Sequence, residues 1–276
     1  MATDIELKEI ARSLRRDIVS MIYNAGSGHP GGSLSAIDML VFLYKNIMRF
    51  PQGDLHSPNR DRFILSKGHC APALYVVLAE YGFFPKEELS TLRDIGSRLQ
   101  GHPDMRKTPG VDMTTGSLGM GLSAGIGMAL AAKIDNRDIR VYVMAGDGEM
   151  QSGQIWEAAM TAGQHKLDNL ILLVDKNGYQ CDDRVDALCS LGDIAAKLRE
   201  FNFCCAEADG HDFASIRTAF NEVLPVRDRP KAIIAHTVKG KGVSFMENEN
   251  IWHGTPPSKG EAEAALEELG KEKGSD

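Results

Sequence analysis

Two short turns, Gly146-Asp147-Gly148 and Lys176-Asn177-Gly178, carry side chains suited to a hard cation. Asp147 offers a carboxylate and Asn177 a carboxamide oxygen, thirty residues apart and each followed by glycine. Magnesium takes about six oxygens in an octahedron and commonly shares them with phosphates. A metal-bridged phosphate would suit the pair, with Gly148 leaving room for a diphosphate and the amides of the next helix adding positive potential. Either tripeptide alone is an ordinary turn, because Gly, Asp and Asn favour turns for backbone reasons. Their meaning depends on what lies between them.

Strands alternate with helices across this region. A helix from Gly119 precedes the strand IRVYVMA, a helix from Gln154 precedes LILLVD, a helix from Ile194 precedes FCCAEAD, and a helix from Ser215 precedes KAIIAHT. Repeated βαβ units predict an α/β fold, a doubly wound parallel sheet with helices on both faces. Asp147 and Asn177 then follow consecutive strands joined by one right-handed crossover. Both would face the crevice at the carboxyl edge of the sheet, where open α/β sheets bind ligands.

Upstream, residues 5–23 read as an amphipathic helix ending near Asn24-Ala25-Gly26, followed by a glycine-rich loop. SLSAIDMLVFLYKNIM reads as a second helix, RFILS as a short buried strand and APALYVVLAEYG as a helix stopped by glycine. From about Gly96 to Gly116 the chain is polar, broken by Gly and Pro, and too long for an ordinary connection, so a functional loop is expected. The apolar window from Leu118, LGMGLSAGIGMALAAKI, is diluted by glycine, falls short of a membrane span and reads as a buried helix. One domain over 1–276 is expected, with a charged, frayed tail from about 258.

A net charge of −7 and no basic block argue against nucleic acid or an anionic membrane as the main partner. The amino terminus has no basic, apolar and small-residue series of a secretory signal, so a cytoplasmic location is expected. The five cysteines form no C-x-x-C pair, which favours buried reduced thiols over disulfides or zinc. GSGHPG is a literal G-x-G-x-x-G, but it follows a helix rather than a strand, so the dinucleotide reading fails its context.

The words GSGHPGGSLS, LSKGHCAPALY, GHPD, TTGSLGMGLSAGIGMA, GDG with Asn177 about thirty residues on, and WHG resemble the amino-terminal half of transketolases, in that family's order, from about residue 8 to 256. The resemblance implies the thiamine diphosphate-binding fold. It also implies that Asp147, Asn177 and the carbonyl of Tyr179 ligate Mg2+ (or Ca2+ or Mn2+), and that Gly116, Ser117, Leu118, Gly148, Asn177, His69, His102 and His253 touch the cofactor. His29, His102 and His253 would serve catalysis, since imidazole can give or take a proton near neutral pH. His56, His165, His211 and His236 match no motif and are expected to be structural.

The family's pyrimidine-binding and carboxyl-terminal domains have no match here, so the resemblance implies the amino-terminal subunit of a split transketolase of pentose phosphate type. It would be nearly inactive until a carboxyl-terminal subunit joins it in an α2β2 assembly acting on small sugar phosphates. Glu157 resembles an interface carboxylate of the family, whereas Ser152 stands where relatives carry a second one. A ketol transferase for another sugar, an acetoin- or pyruvate-type enzyme, and a non-catalytic scaffold remain the alternatives.

Overall fold

The computed structural model describes residues 2–271. Helix α1 (Asp4–Ala25) opens on a capping box in which Glu6 donates its N–H to the Thr3 hydroxyl and its carboxylate accepts the Thr3 N–H. It closes on Gly26 in the left-handed region. Leu7, Leu14, Ile18 and Ile22 form its buried stripe. Helix α2 (Pro30–Phe42) begins three residues before the apolar run that predicts it, because Pro30 is preset for the first helical position and His29 becomes the N-cap. A π turn over Leu43–Ile47 ends it.

Among the described residues the other strands and α-helices are β1 (Arg62–Leu65), α3 (Ala71–Glu80), α4 (Met120–Ile134), β2 (Val141–Gly146), α5 (Gly153–Gln164), β3 (Leu170–Lys176), α6 (Val185–Cys189), α7 (Ile194–Glu200), β4 (Cys204–Asp209), α8 (Phe213–Val223), β5 (Lys231–His236) and α9 (Lys259–Gly270). The five strands pair in parallel in the order β1-β2-β3-β5-β4. Alternate residues feed two cores. Tyr142, Met144, Ile171, Leu173 and Ile233 join the side chains of α1, α2, α3 and α8, while Val141, Val143, Leu170, Leu172 and Val174 join those of α4, α5 and α7. The fold is a doubly wound α/β sheet covered on both faces, as the alternation predicts.

Three expectations are corrected. The tail does not fray over Lys259–Gly270, since Ser258 and Glu261 form a capping box and Ala262, Ala265 and Leu269 bury themselves against α1. The end of the charged tail, 272–276, lies outside the described residues. Helix α4 is buried on one side only, because it lies on the outer face of the sheet beside α5. Gly121, Leu122, Gly125 and Ala129 face inward while Leu118, Met120 and Ile134 near its ends stay exposed. Cys70 and Cys205 are buried, but Cys181 and Cys189, in the polar connection after β3, are exposed.

The segment between α3 and α4 holds its shape through side chains. Asp112 accepts from both Arg60 Nη atoms at 2.9 and 2.7 Å and from the Phe63 N–H at 2.9 Å, tying the loop to β1. The Tyr75 hydroxyl donates to the carbonyls of Gln100 and His102 at 2.8 and 3.2 Å. No helix among the described residues is long and apolar enough to cross a membrane.

Docking of α9 gives a first test. Leu269→Ala removes a buried leucine from the α1 contact and is expected to cost about 2–3 kcal/mol. Urea unfolding measures it, and an unchanged midpoint would contradict the docked helix.

Candidate active site

Four strand ends converge on one cleft of about 230 Å3 at the carboxyl edge of the sheet. Its walls come from Lys67 and His69 after β1, Asp147 and Gly148 after β2, Asn177 and Tyr179 after β3, Lys239 after β5, and His29, His102 and His253 from the surrounding loops. Gly146 pairs with Asp175 in the sheet, so the two oxygen-bearing turns sit side by side.

Asp147 is almost fully buried. Its carboxylate accepts the N–H of Gly148 at 3.0 Å and of Gly178 at 2.7 Å, so each turn helps hold the other. Burial, and then the negative charge of Asp175, push its pKa up to about 6. Asn177 has a fixed orientation. Its Nδ2 donates to the Ser35 hydroxyl at 3.2 Å and toward Asp175 at 3.4 Å, while its Oδ1 accepts the Tyr179 N–H at 3.1 Å.

Beneath them lies a buried ion pair between Lys67 and Asp175. Lys67 also donates to the Gly32 carbonyl at 3.1 Å, and Asp175 accepts from Ser35 at 2.6 Å and from Thr237. Burial opposes charge on both partners. For Lys67 the Asp175 charge overcomes it and raises the ammonium pKa, and for Asp175 the Lys67 charge and the hydroxyl donors bring the carboxyl below its usual value. Buried Glu149 is a second polar anchor. It accepts from Ser66 and from the N–H groups of Gly119 at 2.8 Å and Gly146 at 3.2 Å, joining the ends of β1 and β2 to the start of α4.

The histidines form the opposite wall. Ring centroids of His29, His69 and His253 lie 5.2, 5.1 and 5.7 Å apart in pairs. Burial is the main cause of their low basicity, holding His29 and His253 to about 4 and His69 well below 6.5. His102 is also lowered, by burial and then by Arg93. Lys239 donates to the Asn250 side-chain oxygen at 2.9 Å and to the Gln180 carbonyl at 3.2 Å, with His253 Nδ1 at 3.2 Å. Burial and then the Lys67 charge bring its ammonium down to about 8.

Residues 5–275 match the family described as transketolase, thiamine diphosphate binding domain. The chain belongs to the transketolase family. It is 41% identical over 255 residues to one of the apulose-4-phosphate transketolase subunits, that of Phocaeicola vulgatus, covering 92% of this chain and 90% of that one. It is 42% identical over 268 residues to the 6-deoxy-6-sulfo-D-fructose transketolase subunit of a Clostridium species, covering 97% and 98%. The solved transketolase of Campylobacter jejuni superposes with a TM-score of 0.89 at 31% identity, covering 100% of this chain and 44% of its own. The chain thus spans less than half of that solved transketolase but nearly all of both transketolase subunits.

Of the residues singled out from the sequence, His29, His69, His102, Gly116, Leu118, Asp147, Gly148, Asn177, Tyr179 and His253 all line the cleft. Ser117 does not, and is exposed on the loop between two residues that do. Sequence reasoning does not find Lys67, Lys239, Glu149 or Asp175. Topology held a signal for Lys239, which follows the strand KAIIAHT as Asp147 follows IRVYVMA. Lys67 sits two residues before His69 in the same motif, and Asp175 is a charge closing an apolar strand.

The donor set suits a divalent ion and a diphosphate. Asp147 and Asn177 present oxygens, and the Tyr179 carbonyl oxygen is 3.7 Å from where a Cβ on Gly148 would stand. That Cβ would come within 2.7 Å of Gln180 Cβ, so only glycine keeps this wall close-packed. A buried carboxyl with a raised pKa is the kind of group whose ionised form a cation would stabilise.

The depressed histidines set a pH dependence. Their folded pKa values lie below the unfolded value near 6.5, so the unfolded chain binds more protons as pH falls. Their contribution to stability is complete above pH 6.5 and is lost between 6.5 and about 4. Asp147, raised to about 6, acts with the opposite sign, losing its contribution as pH rises through that value. Urea midpoints should therefore fall with acid less steeply in a His29→Gln/His253→Gln variant than in the natural chain, and identical slopes would contradict the neutral cluster.

Proposed function

We propose that this chain is the cofactor-binding subunit of a two-chain, cytoplasmic transketolase that moves a two-carbon ketol unit from a ketose phosphate to an aldose. The cleft itself carries this reading, because a hard-oxygen pair and four histidines share one cavity at the strand ends. The relatives that are themselves subunits, matched over 90% and 98% of their own lengths, support division of the enzyme between two chains.

Asp147, Asn177 and the Tyr179 carbonyl would hold magnesium and Gly148 would admit the diphosphate, with Lys239 contributing positive charge. The chain acts as a single pyrophosphate-binding domain. When bound, thiamine diphosphate supplies an electron-accepting thiazolium. The histidines manage protons on the sugar. A ketose carbonyl gaining electrons needs a donor, and a hydroxyl whose neighbouring carbon bond breaks needs an acceptor. Neutral imidazoles at pH 7 can do either, and a buried His29 Nδ1 without a hydrogen-bond partner among the described residues is free for such a role. His102 and His253 share this work, and His69 contacts the cofactor.

The partner chain, of the pyrimidine-binding kind, would complete the pocket in an α2β2 assembly. The exposed Leu118, Met120 and Met160 on and beside α4 and α5 support a protein contact there. The four-histidine wall favours a polyol over the acetoin- or pyruvate-type alternative, and the intact oxygen pair disfavours a scaffold. Assay of the reconstituted pair tests the proposal. His29→Ala should lose about 10²–10³-fold in kcat/KM with near-normal cofactor affinity, and undiminished turnover would overturn the role of His29.

A further inference from the structure

Arg93 does not line the cleft, yet it reaches two of the segments that deliver histidines to it, those carrying His29 and His102. Its own backbone sits at φ 65°, in the left-handed region that a side chain rarely adopts, and its N–H donates to the Leu99 carbonyl at 2.8 Å. From there its guanidinium reaches two neighbouring segments. Nη1 donates to the Ser27 hydroxyl at 2.8 Å, two residues before His29. The planar group lies against the Cα of Gly101, the residue before His102. A Cβ at Gly101 would stand 3.0 Å from Cζ and 3.2 Å from Nε and Nη2. Arg93 Nε is buried with no hydrogen-bond partner among the described residues, an arrangement that carries a cost in polar satisfaction.

We infer that Arg93 is a positioning residue: its guanidinium braces the Ser27–His29 segment against the Gly101–His102 segment and so fixes the two imidazoles relative to each other. This rests on the proton-handling roles proposed for His29 and His102. Backbone strain and a glycine shaped to admit the guanidinium are features expected where geometry matters to function. A positive charge so placed also disfavours protonation of both rings. Arg93 is the second cause, after burial, of the lowered basicity of His29 and of His102. His29 also faces His69 and His253 and feels Lys239 and His102, whereas Arg93 is not among the causes acting on His69 or His253.

Two variants separate charge from geometry in the full chain, with histidine ring carbons labelled and titrated by NMR. Arg93→Met should raise the titration midpoints of His29 and His102 and move those of His69 and His253 much less. Arg93→Lys should keep the midpoints low while losing the brace. With the partner chain present, both variants should lose about tenfold or more in kcat, with little change in thiamine diphosphate affinity. Ser27→Ala removes only one leg and serves the kinetic test should the Arg93 variants unfold. Unmoved midpoints in a folded Arg93→Met chain, or unaltered kcat in Arg93→Lys or Ser27→Ala, would overturn the inference. If instead His29→Ala and His102→Ala themselves turn over normally, it is the catalytic roles that fail; unaltered kcat in the Arg93 variants beside impaired His29→Ala and His102→Ala overturns the brace alone.

Discussion

Asp147→Ala is expected to abolish magnesium-dependent retention of thiamine diphosphate, weakening cofactor affinity by at least about 100-fold. Loss even of a group that only orients a metal ligand costs about 10–100-fold, and loss of the ligand itself should cost no less. The fold should survive. The substitution leaves the N–H groups of Gly148 and Gly178 without their acceptor, a penalty of about 1–3 kcal/mol for each group that water does not reach. It also removes a buried carboxyl whose ionisation was already disfavoured by burial and by Asp175, which works the other way. Tryptophan fluorescence titration with and without magnesium reads the affinity, and urea unfolding reads the stability. An Asp147→Ala chain that binds the cofactor as tightly as the natural one would remove Asp147 from the proposed metal site.

Lys67→Met should be the most destabilising single change beneath the site, costing about 3–5 kcal/mol. Lys67 and Asp175 are 2% and 1% exposed, so removing the ammonium strands a carboxylate where water cannot replace it. Ser35 and Thr237 still donate to Asp175, but neither brings a charge. The harm should also reach Asn177, since the same carboxylate oxygen accepts from its Nδ2. Adding Asp175→Asn to Lys67→Met removes the stranded charge and should restore part of the loss. Urea unfolding of the single and double variants decides it. A double variant no more stable than the single would show that the cost came from packing rather than from an unpaired charge.

Much of this architecture is legible in the sequence because it rests on periodicity. The β2, β3 and β5 segments are apolar runs ended by polar turns, and their alternation with helices fixes a parallel sheet and the edge where its turns collect. Asp147 and Asn177 can be placed together on that basis alone. What escapes is carried by contacts between distant segments. Lys67 and Asp175 are separated by more than a hundred residues and meet only because β1 and β3 flank β2. Glu149 looks like one more residue of a turn, and its bonds to Ser66 and Gly119 exist only in the folded molecule. The helix α9 is hidden by composition, since its exposed face is crowded with glutamate while Ala262, Ala265 and Leu269 alone make the buried stripe.

The position of the metal is the claim on which the rest depends. Crystals of the two-chain complex grown with thiamine diphosphate and manganese would locate it by anomalous scattering. The account predicts a peak bonded to the Asp147 carboxylate, the Asn177 side-chain oxygen and the Tyr179 carbonyl. A fully occupied cofactor with its metal held by other residues would contradict it.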